Sequence, residues 1–193
     1  MKIRHRKRPF CHTIIDNYAE EDDLQLLIKE INQYDNSQMY LDEHHQQLLI
    51  DHQSEGFHVD KIFNKDRSQS KVLYFGRKLF GVRLEKFVKD NPLLGFIPLS
   101  NVDTTFVQKY KSGSSYYVHD DMCILTALHL IYLQDFKGGE LYFPEHHNYK
   151  PPLKNNSCLI FPGYERHGVR EMKSNHEGYL RYSINHRIYL ESK

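Results

Sequence analysis

A histidine and an aspartate two residues apart, His119 and Asp121, are the first residues of this sequence that suggest a metal site. They lie in the run YYVHDD, whose aromatic and β-branched residues are typical of a β-strand. Side chains of a strand alternate between its two faces, so the spacing predicts that His119 and Asp121 project from the same face. An imidazole and a carboxylate placed in this way can bind a metal ion. Two-residue motifs also match by accident, so the spacing alone leaves a surface pair open.

A metal held by this pair needs at least one more ligand, and the best candidate is His167 in CLIFPGYERHGVREM. It follows an apolar strand pattern and a proline-glycine turn, and an antiparallel core can bring such a strand back beside the first. Two histidines and one carboxylate suit non-haem Fe(II), whereas zinc is more often held by thiolates or by a His-Glu-x-x-His helix, and neither pattern occurs here. Iron is therefore the predicted metal. Taken by itself, His167 fits a polar turn better than a metal ligand.

The later segment GYLRYSINHRIYL alternates between two kinds of side chain. One face carries Leu180, Tyr182 and Ile184, and the other carries Arg181, Ser183 and Asn185. A buried arginine needs an anionic partner, and no acidic residue shares its face within this strand. A guanidinium beside a hydroxyl can bind a carboxylate through two hydrogen bonds. The pattern predicts a dicarboxylate co-substrate with one end on the iron and the other on Arg181, with a surface arginine as the alternative.

The segment DNYAEEDDLQLLIKEINQY carries the clearest helical pattern of the chain. Leu24, Leu27, Ile28 and Ile31 form one apolar stripe, and acidic residues cluster in the first turn, where the helix dipole favours them. Weaker helical patterns cover YLDEHHQQLLIDHQ and RKLFGVRLEKFVKDNP, the latter with Pro92 just past its end. The sequence between them, SEGFHVDKIFNKDRSQSKVLYF, suggests short strands and a loop.

From about residue 104 the pattern changes to short strands separated by turn residues. These strands are TTFVQKY, SYYVHDD, LTALHLIYL, GELYF, SCLIF, HGVREM and GYLRYSINHRIYL. Helices followed by many short strands predict an α+β fold, with helices packed on one sheet of a jelly-roll core. The length of 193 residues suggests one domain, with a basic tail at 1–9, helical and strand support over 10–100 and the core over 101–193.

Composition argues against several classes of protein. The formal net charge of +1 provides no overall attraction to nucleic acid or membrane, and no apolar run is long enough to span a bilayer. The segment KIRHRKR is basic and fits a solvated tail better than a phosphate-binding segment. Because CHTIID follows it shortly afterwards, no secretory signal is predicted and a cytoplasmic location is expected. The three cysteines, odd in number and without paired spacing, are expected to be free thiols.

Together these motifs resemble the Fe(II)- and 2-oxoglutarate-dependent dioxygenases with a double-stranded β-helix core. The run YKSGSSYYVHDD matches the Tyr-x-x-Gly-x-x-Tyr-x-x-His-x-Asp pattern of the prolyl-4-hydroxylase-like branch, and TALHLIYLQDFKGGELYFPE resembles its next two strands with their Gly-Gly turn. The segment DNYAEEDDLQLLIKEI is similar to its leading strand-to-helix region. The resemblance covers most of residues 10 to 190.

The resemblance implies a role for each matching residue. The metal ligands fall on His119, Asp121 and His167. For 2-oxoglutarate, the resemblance places Arg181 at the distal carboxylate with Ser183 beside it, Tyr110 at the metal-end carboxylate and Tyr132 near the distal end. Tyrosines in a barrel strand also fit simple core packing. The implied cofactors are Fe(II), 2-oxoglutarate and O2, with ascorbate as a further candidate.

The implied reaction is hydroxylation of a C–H bond, most plausibly of a prolyl residue in a peptide or protein, coupled to decarboxylation of 2-oxoglutarate to succinate. The Asp121 carboxylate favours hydroxylation, because halogenating relatives lack it. The chain departs from the family at Gln134, where members often have Asn, and has no tryptophan. Arg181 stands where collagen-type enzymes have Lys and resembles the oxygen-sensing and microbial prolyl hydroxylases in this respect. The sequence contains no separate peptide-binding domain, so collagen is not the expected substrate.

Three other functions stay open at this point. The same core could hydroxylate a free amino acid or another small metabolite, or it could be a non-catalytic binding module. Nucleic-acid demethylation rests only on the basic N-terminal segment, and nucleic acid is not an expected partner. The sequence does not indicate an oligomeric state.

Overall fold

The strands and helices of the chain are defined for residues 2–81 and 84–190, which the computed structural model describes. The strands are β1 (Lys2–Arg6), β2 (His12–Asp16), β3 (Ser54–His58), β4 (Val102–Tyr110), β5 (Tyr116–His119), β6 (Leu125–Tyr132), β7 (Lys137–Gly138), β8 (Leu141–Tyr142), β9 (Ser157–Pro162), β10 (His167–Val169), β11 (Met172–Lys173) and β12 (Arg181–Tyr189). The α-helices are α1 (Glu21–Asn32), α2 (Glu43–Asp51), α3 (Val59–Ile62) and α4 (Lys71–Gly81). Short 3-10 helices cover Asn36–Gln38, Arg67–Gln69, Leu84–Phe87, Pro92–Phe96 and Pro144–His146.

The strands form two facing sheets. The major sheet has the order β1-β2-β9-β6-β12-β4-β3, and the minor sheet has the order β5-β10-β8. The short strands β11 and β7 form a separate two-stranded ladder. Every pair in these sheets is antiparallel, and neighbours such as β12 and β4 are distant in sequence. This arrangement is the jelly-roll core that the sequence predicts.

The major sheet is buried on both faces. On one face, apolar side chains such as Val107 and Ile184 pack against the helices in a helix-side cluster. On the other face, Leu128 and Phe161 pack against Val169 of the minor sheet in a barrel cluster. Because side chains alternate along each strand, one sheet supplies both clusters. The helices therefore cover one sheet, as the sequence predicts, and the space between the sheets is left for the site.

The amphipathic helix predicted between residues 16 and 34 is present as α1. Its apolar stripe buries Leu24, Leu27 and Ile31, while Ile28 is half-buried. The acidic residues Glu21, Asp22 and Asp23 occupy the first turn, as predicted from the helix dipole.

The third predicted helix is displaced in the structure. Helix α4 begins at Lys71, inside the segment expected to be strands and a loop, and ends at Gly81. Its apolar side chains, including Val72, Phe75 and Leu79, face the helix-side cluster, and this tertiary contact outweighs the local pattern. Beyond residues 82 and 83, which lie outside the described residues, the same predicted helix contains only the 3-10 turn Leu84–Phe87.

The basic N-terminal segment is not a solvated tail. Residues Lys2–Arg6 form β1, which pairs along its whole length with β2. The guanidinium of Arg4 donates two hydrogen bonds to Asp16, at 2.8 and 2.7 Å, and Ile3 packs against the helix-side cluster. In β1, Ile3 faces the helix-side cluster while the basic residues on either side of it point the other way. A charged strand of this kind is suited to the edge of a sheet, where it discourages pairing with another chain.

All three cysteines are free, as predicted. Among the described residues, no helix has both the length and the apolar character needed to cross a membrane.

Candidate metal and co-substrate site

The hydrogen-bond register of the minor sheet brings His119 and His167 together. Strands β5 and β10 are antiparallel, and the two histidines occupy directly opposite positions. Their ring centroids lie 4.5 Å apart. The pairing joins residues that are far apart in sequence, so the sheet supplies the return strand that a shared site requires.

Asp121 completes the group from a position just outside the strand. Strand β5 ends at His119, so the expectation that both residues sit in one strand is wrong. The backbone N–H of Asp121 donates to the carbonyl oxygen of Gly163 at 2.8 Å, which fixes the turn beside β10. The Nε2 atoms of His119 and His167 lie 3.7 Å from Oδ1 and Oδ2 of Asp121, respectively. One potential ligand atom from each residue falls within 4.8 Å of the others, a spacing that can hold a metal ion.

Hydrogen bonds to the backbone set the tautomer of both histidines. Nδ1 of His119 lies 3.0 Å from the carbonyl oxygen of Tyr117, and Nδ1 of His167 lies 2.8 Å from that of Glu165. A carbonyl oxygen can only accept a hydrogen bond, so each Nδ1 carries the proton and each Nε2 keeps its lone pair. Metal-binding histidines are commonly oriented in this way. Burial also lowers the pKa of His167 to about 4, which keeps its imidazole neutral at pH 7.

The Asp121 carboxylate is buried and surrounded by donors. Its Oδ1 accepts hydrogen bonds from Asn185 at 3.0 Å and from Nε of Arg187 at 2.9 Å, while Oδ2 accepts one from Thr126 at 2.6 Å. Burial raises the pKa of Asp121, but the neighbouring His119 imidazole and the charge of Arg187 outweigh it and leave the pKa well below its usual range. Asp121 is therefore ionised at pH 7, in the state that a metal ligand needs.

Arg181 lies between the sheets, as the alternation of β12 predicts. Its exposed fraction is 1 %. Its Nη1 donates to the carbonyl oxygen of Gly139 at 2.5 Å, but Nε and Nη2 have no partner among the described residues. Burial of this kind lowers the pKa of Arg181. Two unpaired donors on one buried guanidinium match the two oxygens of a carboxylate, so the site fits one end of a dicarboxylate.

Two tyrosines flank Arg181 on the neighbouring strands. Tyr110 of β4 and Tyr132 of β6 are its partners in the register of the sheet, and its guanidinium carbon lies 4.5 Å from the centre of the Tyr110 ring. Burial raises the pKa of Tyr110 to about 12, against the opposing charge of Arg181, so its hydroxyl stays protonated. Ser183 follows two positions later on the same face and is buried. The four residues that the sequence links to the co-substrate are therefore grouped around one strand.

The other face of β12 differs from the sequence prediction at one position. Tyr182 and Ile184 pack in the helix-side cluster, opposite Arg181 and Ser183. Leu180, expected to share their face, precedes the strand and packs in the barrel cluster. The alternation holds only from Arg181 onward, where the β ladder begins.

A cavity of about 300 Å³ opens from the metal-binding group to the surface. Its inner wall includes His119, Asp121 and Arg187, and its rim includes Met122, whose exposed fraction is 86 %. Helix α2 contributes Leu49 to the wall, so the cavity reaches from the strand ends to the helical layer. Phe106, Tyr116 and Tyr117 make much of the remaining wall aromatic. The segment 54–75 supplies His58 to the lining of the cavity, whereas residues 146–156 do not line it.

Three residues at the site were not identified from the sequence as functional. They are Thr126, Asn185 and Arg187, and all three bind Asp121. The signal for Arg187 is present in the alternation of β12, because it lies six positions after Arg181 and therefore on the same face. No sequence pattern links Thr126 to Asp121, since that contact depends on the turn between β5 and β6.

Comparison with known proteins places most of the chain in one structural class. No protein-family model matches the sequence, and no curated protein matches it either. Among solved structures, a prolyl-4-hydroxylase from Pseudomonas putida is similar with a TM-score of 0.63 and 15 % identity, over 94 % of this chain and 93 % of that one. A prolyl hydroxylase from Trichoplax adhaerens, solved with a peptide fragment of the hypoxia inducible factor oxygen degradation domain, has a TM-score of 0.61 and 15 % identity over 92 % and 83 % of the two chains.

A third structure comes from a virus. The collagen prolyl hydroxylase of Paramecium Bursaria Chlorella virus-1, in a truncated form, has a TM-score of 0.54 and 18 % identity, over 94 % of this chain and 90 % of that one. At these identities the likeness concerns the arrangement of the backbone. The chain therefore has the double-stranded β-helix fold of the prolyl hydroxylases.

Proposed function

We propose that the protein is an Fe(II)- and 2-oxoglutarate-dependent dioxygenase that hydroxylates a prolyl residue in a peptide or protein. The observation that carries the proposal is the combination of two sites in one barrel. His119, Asp121 and His167 converge with both Nε2 atoms free, and the buried Arg181 keeps two donors without a partner among the described residues. A metal site or a buried arginine alone would support many functions, whereas the pair fits a metal and a dicarboxylate used together.

In this proposal the three residues of the metal site hold ferrous iron. Two neutral imidazoles and one carboxylate are the ligand set that suits non-haem Fe(II), and three protein ligands would leave positions for the co-substrate and O2. The guanidinium of Arg181 binds the distal carboxylate of 2-oxoglutarate, with the Ser183 hydroxyl beside it. The protonated hydroxyl of Tyr110 is suited to donate to the metal-end carboxylate, and Tyr132 lies beside the distal end.

Bound iron and 2-oxoglutarate would supply the activation of O2, with release of succinate and CO2 and insertion of one oxygen atom into a C–H bond. The residues of the chain contribute orientation and exclusion of water. The aromatic wall of the cavity, including Phe106 and Tyr116, positions the carbon to be hydroxylated next to the metal. Selectivity then depends on which carbon the cavity holds there.

The shape of the cavity and the comparisons support a peptide rather than a free metabolite. The cavity of about 300 Å³ is open at the exposed Met122, so a prolyl side chain can enter while its flanking residues stay outside. Helix α2 and His58 form the adjacent wall and are placed to contact those residues. The Trichoplax adhaerens structure that shares this fold contains a bound peptide fragment, which supports the same mode of binding for this chain.

Mass spectrometry of peptides after incubation tests the proposal. Proline-containing peptides, the same peptides with alanine in place of proline, and free proline are each incubated with Fe(II), 2-oxoglutarate, ascorbate and air. We expect one added oxygen atom on the prolyl ring and an equal amount of succinate, both absent with the Asp121→Asn variant. Oxidation of free proline alone would instead support a metabolite hydroxylase. Absence of succinate with every substrate would favour a binding module.

A further inference from the structure

The second arginine on the inner face of β12, Arg187, is paired with a carboxylate, whereas Arg181 has no acidic partner among the described residues. The Nε and Nη2 atoms of Arg187 lie 2.9 and 2.8 Å from a single atom, Oδ1 of Asp121. The Asp121 side chain is completely buried, and the exposed fraction of the Arg187 side chain is 21 %. A charge-assisted contact of this kind is roughly twice as strong as a hydrogen bond between neutral groups.

The donors are divided unequally between the two oxygens of Asp121. Oδ1 accepts one hydrogen bond from Nε of Arg187 and one from Asn185 at 3.0 Å, and Nη2 of Arg187 lies within ion-pair distance of the same oxygen. Oδ2 accepts one hydrogen bond, from Thr126 at 2.6 Å. A carboxylate oxygen offers about two lone-pair sites. Oδ1 is therefore fully engaged, while Oδ2 keeps one site for a metal ion.

The donors to Asp121 come from two strands that lie side by side in the major sheet. Arg187 of β12 is the direct cross-strand partner of Thr126 of β6, so the donors to the two oxygens are fixed relative to each other by the β ladder. Asn185 comes from the same face of β12. The donors thus belong to rigid sheet positions, whereas Asp121 itself lies in the turn after β5.

We infer that Arg187 is a positioning residue, which fixes Asp121 so that Oδ2 alone is presented to the metal. This inference rests on the metal site of the proposed function. A carboxylate that binds a metal through both oxygens takes up an additional coordination position. By engaging Oδ1, Arg187 would keep Asp121 from taking that additional position when a metal ion is bound.

Metal-binding measurements on three variants test this role. Arg187→Met keeps the bulk of the side chain but removes its donors, and Arg187→Lys keeps the charge without the two-pronged geometry. Arg170→Met is the matched control, because Arg170 is an exposed arginine that stacks on Tyr142 and bonds Asn148. Isothermal titration with Mn(II) gives the affinity, and the absorption bands of bound Co(II) report the coordination geometry.

We expect Arg187→Met to weaken Mn(II) binding about ten- to a hundred-fold and to alter the Co(II) spectrum, as is common when the residue that orients a ligand is lost. Arg187→Lys should recover part of the affinity, and Arg170→Met should behave as the unaltered protein does. Near-UV circular dichroism checks that each variant is folded.

The possible results separate this inference from the proposed function. If the unaltered protein binds neither metal, both fail. If it binds both, and Arg187→Met has the same affinity and Co(II) spectrum or a higher affinity, only the positioning role is overturned. Should Arg187→Met not fold, Arg187→Lys decides the matter, because unchanged affinity and spectrum in that variant would show that the two-pronged contact is not needed.

Discussion

Arg181 donates a hydrogen bond from Nη1 to the carbonyl oxygen of Gly139. Among the described residues, this oxygen is the only hydrogen-bond acceptor for its guanidinium. Gly139 is the second glycine of the Gly-Gly turn at the end of β7 and has a φ of +70°, a backbone conformation that residues other than glycine rarely adopt. The turn therefore holds one side of the guanidinium and leaves the other side for a ligand.

Replacement of Arg181 by methionine should separate ligand binding from folding. In the absence of ligand, we expect Arg181→Met to be as stable as the unaltered protein or more stable, because a buried and incompletely paired charge is replaced by an apolar side chain of similar size. At a hundred times the Kd, Mn(II) and 2-oxoglutarate should stabilise the unaltered protein by about 2.7 kcal/mol and so raise its Tm. The Tm of the variant should rise much less. Differential scanning fluorimetry measures both effects.

Ser183→Ala provides the matched control for this experiment, since it removes one hydroxyl from the same face and keeps Arg181. It should retain most of the shift. An equal ligand-induced shift in Arg181→Met and the unaltered protein would contradict the assignment of Arg181.

Loss of either of two metal-site residues should abolish metal binding without unfolding the protein. Asp121→Asn keeps the shape of the side chain, and His167→Ala removes a ring that packs against Phe143 and Phe161. We expect Mn(II) affinity and substrate-dependent succinate formation to fall below detection in both. The exposed His176→Ala is the control and should leave both quantities unchanged. Normal turnover in either site variant would refute the metal site.

Glu30 should contribute strongly to the stability of the helical layer. This buried carboxylate of α1 accepts hydrogen bonds from Ser70 at 2.6 Å, from the backbone N–H of Lys71 at 2.5 Å and from Tyr34 at 2.6 Å. It thereby caps the first turn of α4 from a different helix. Glu30→Ala leaves several buried donors without an acceptor, so we expect a loss of about 2 kcal/mol or more in the free energy of unfolding.

Urea denaturation measures this loss. Glu21→Ala, on the exposed first turn of the same helix, should change the free energy of unfolding by less than about 0.5 kcal/mol. Similar effects of the two substitutions would show that the cap is not a main source of stability.

Two histidines behind the major sheet should make the fold sensitive to acid. Burial lowers the pKa of His129 and of His186 to about 4, against an ordinary value of 6.5. Below pH 6.5 the unfolded chain binds protons that the folded protein excludes, so stability is fully present above pH 6.5 and is lost as the pH falls toward 4. Each histidine contributes a slope of at most about 1.4 kcal/mol per pH unit in this range.

Denaturation curves between pH 7 and 4 check this dependence. The free energy of unfolding of His129→Gln should fall less steeply with decreasing pH than that of the unaltered protein, because the variant lacks one of the two buried histidines that bind a proton only on unfolding. His176→Ala, which removes an exposed histidine, should leave the slope unchanged. A slope in His129→Gln equal to that of the unaltered protein would contradict the role of burial.

The alternation of side chains in β12 is a feature that the local sequence pattern predicts correctly. Placement of Arg181 and Ser183 on one face and of Tyr182 and Ile184 on the other follows from the two-residue period of a strand, and the structure has it. Helix α1 could be predicted for a similar reason, because its apolar stripe and acidic first turn lie within one short segment. Helix α4 could not be placed correctly, since its start depends on Glu30 from another helix.

The sequence by itself determined which chemical groups are available and on which face of a strand or helix they lie, because both depend on residue type and local period. Tertiary structure alone decided that His167 stands opposite His119 and that Arg187 and Thr126 hold the two oxygens of Asp121. It also decided that two donors of Arg181 find no acceptor within residues 2–81 and 84–190. These relationships join strands that are far apart along the chain. They depend on the register of the sheets and on the space between them, which no local pattern specifies.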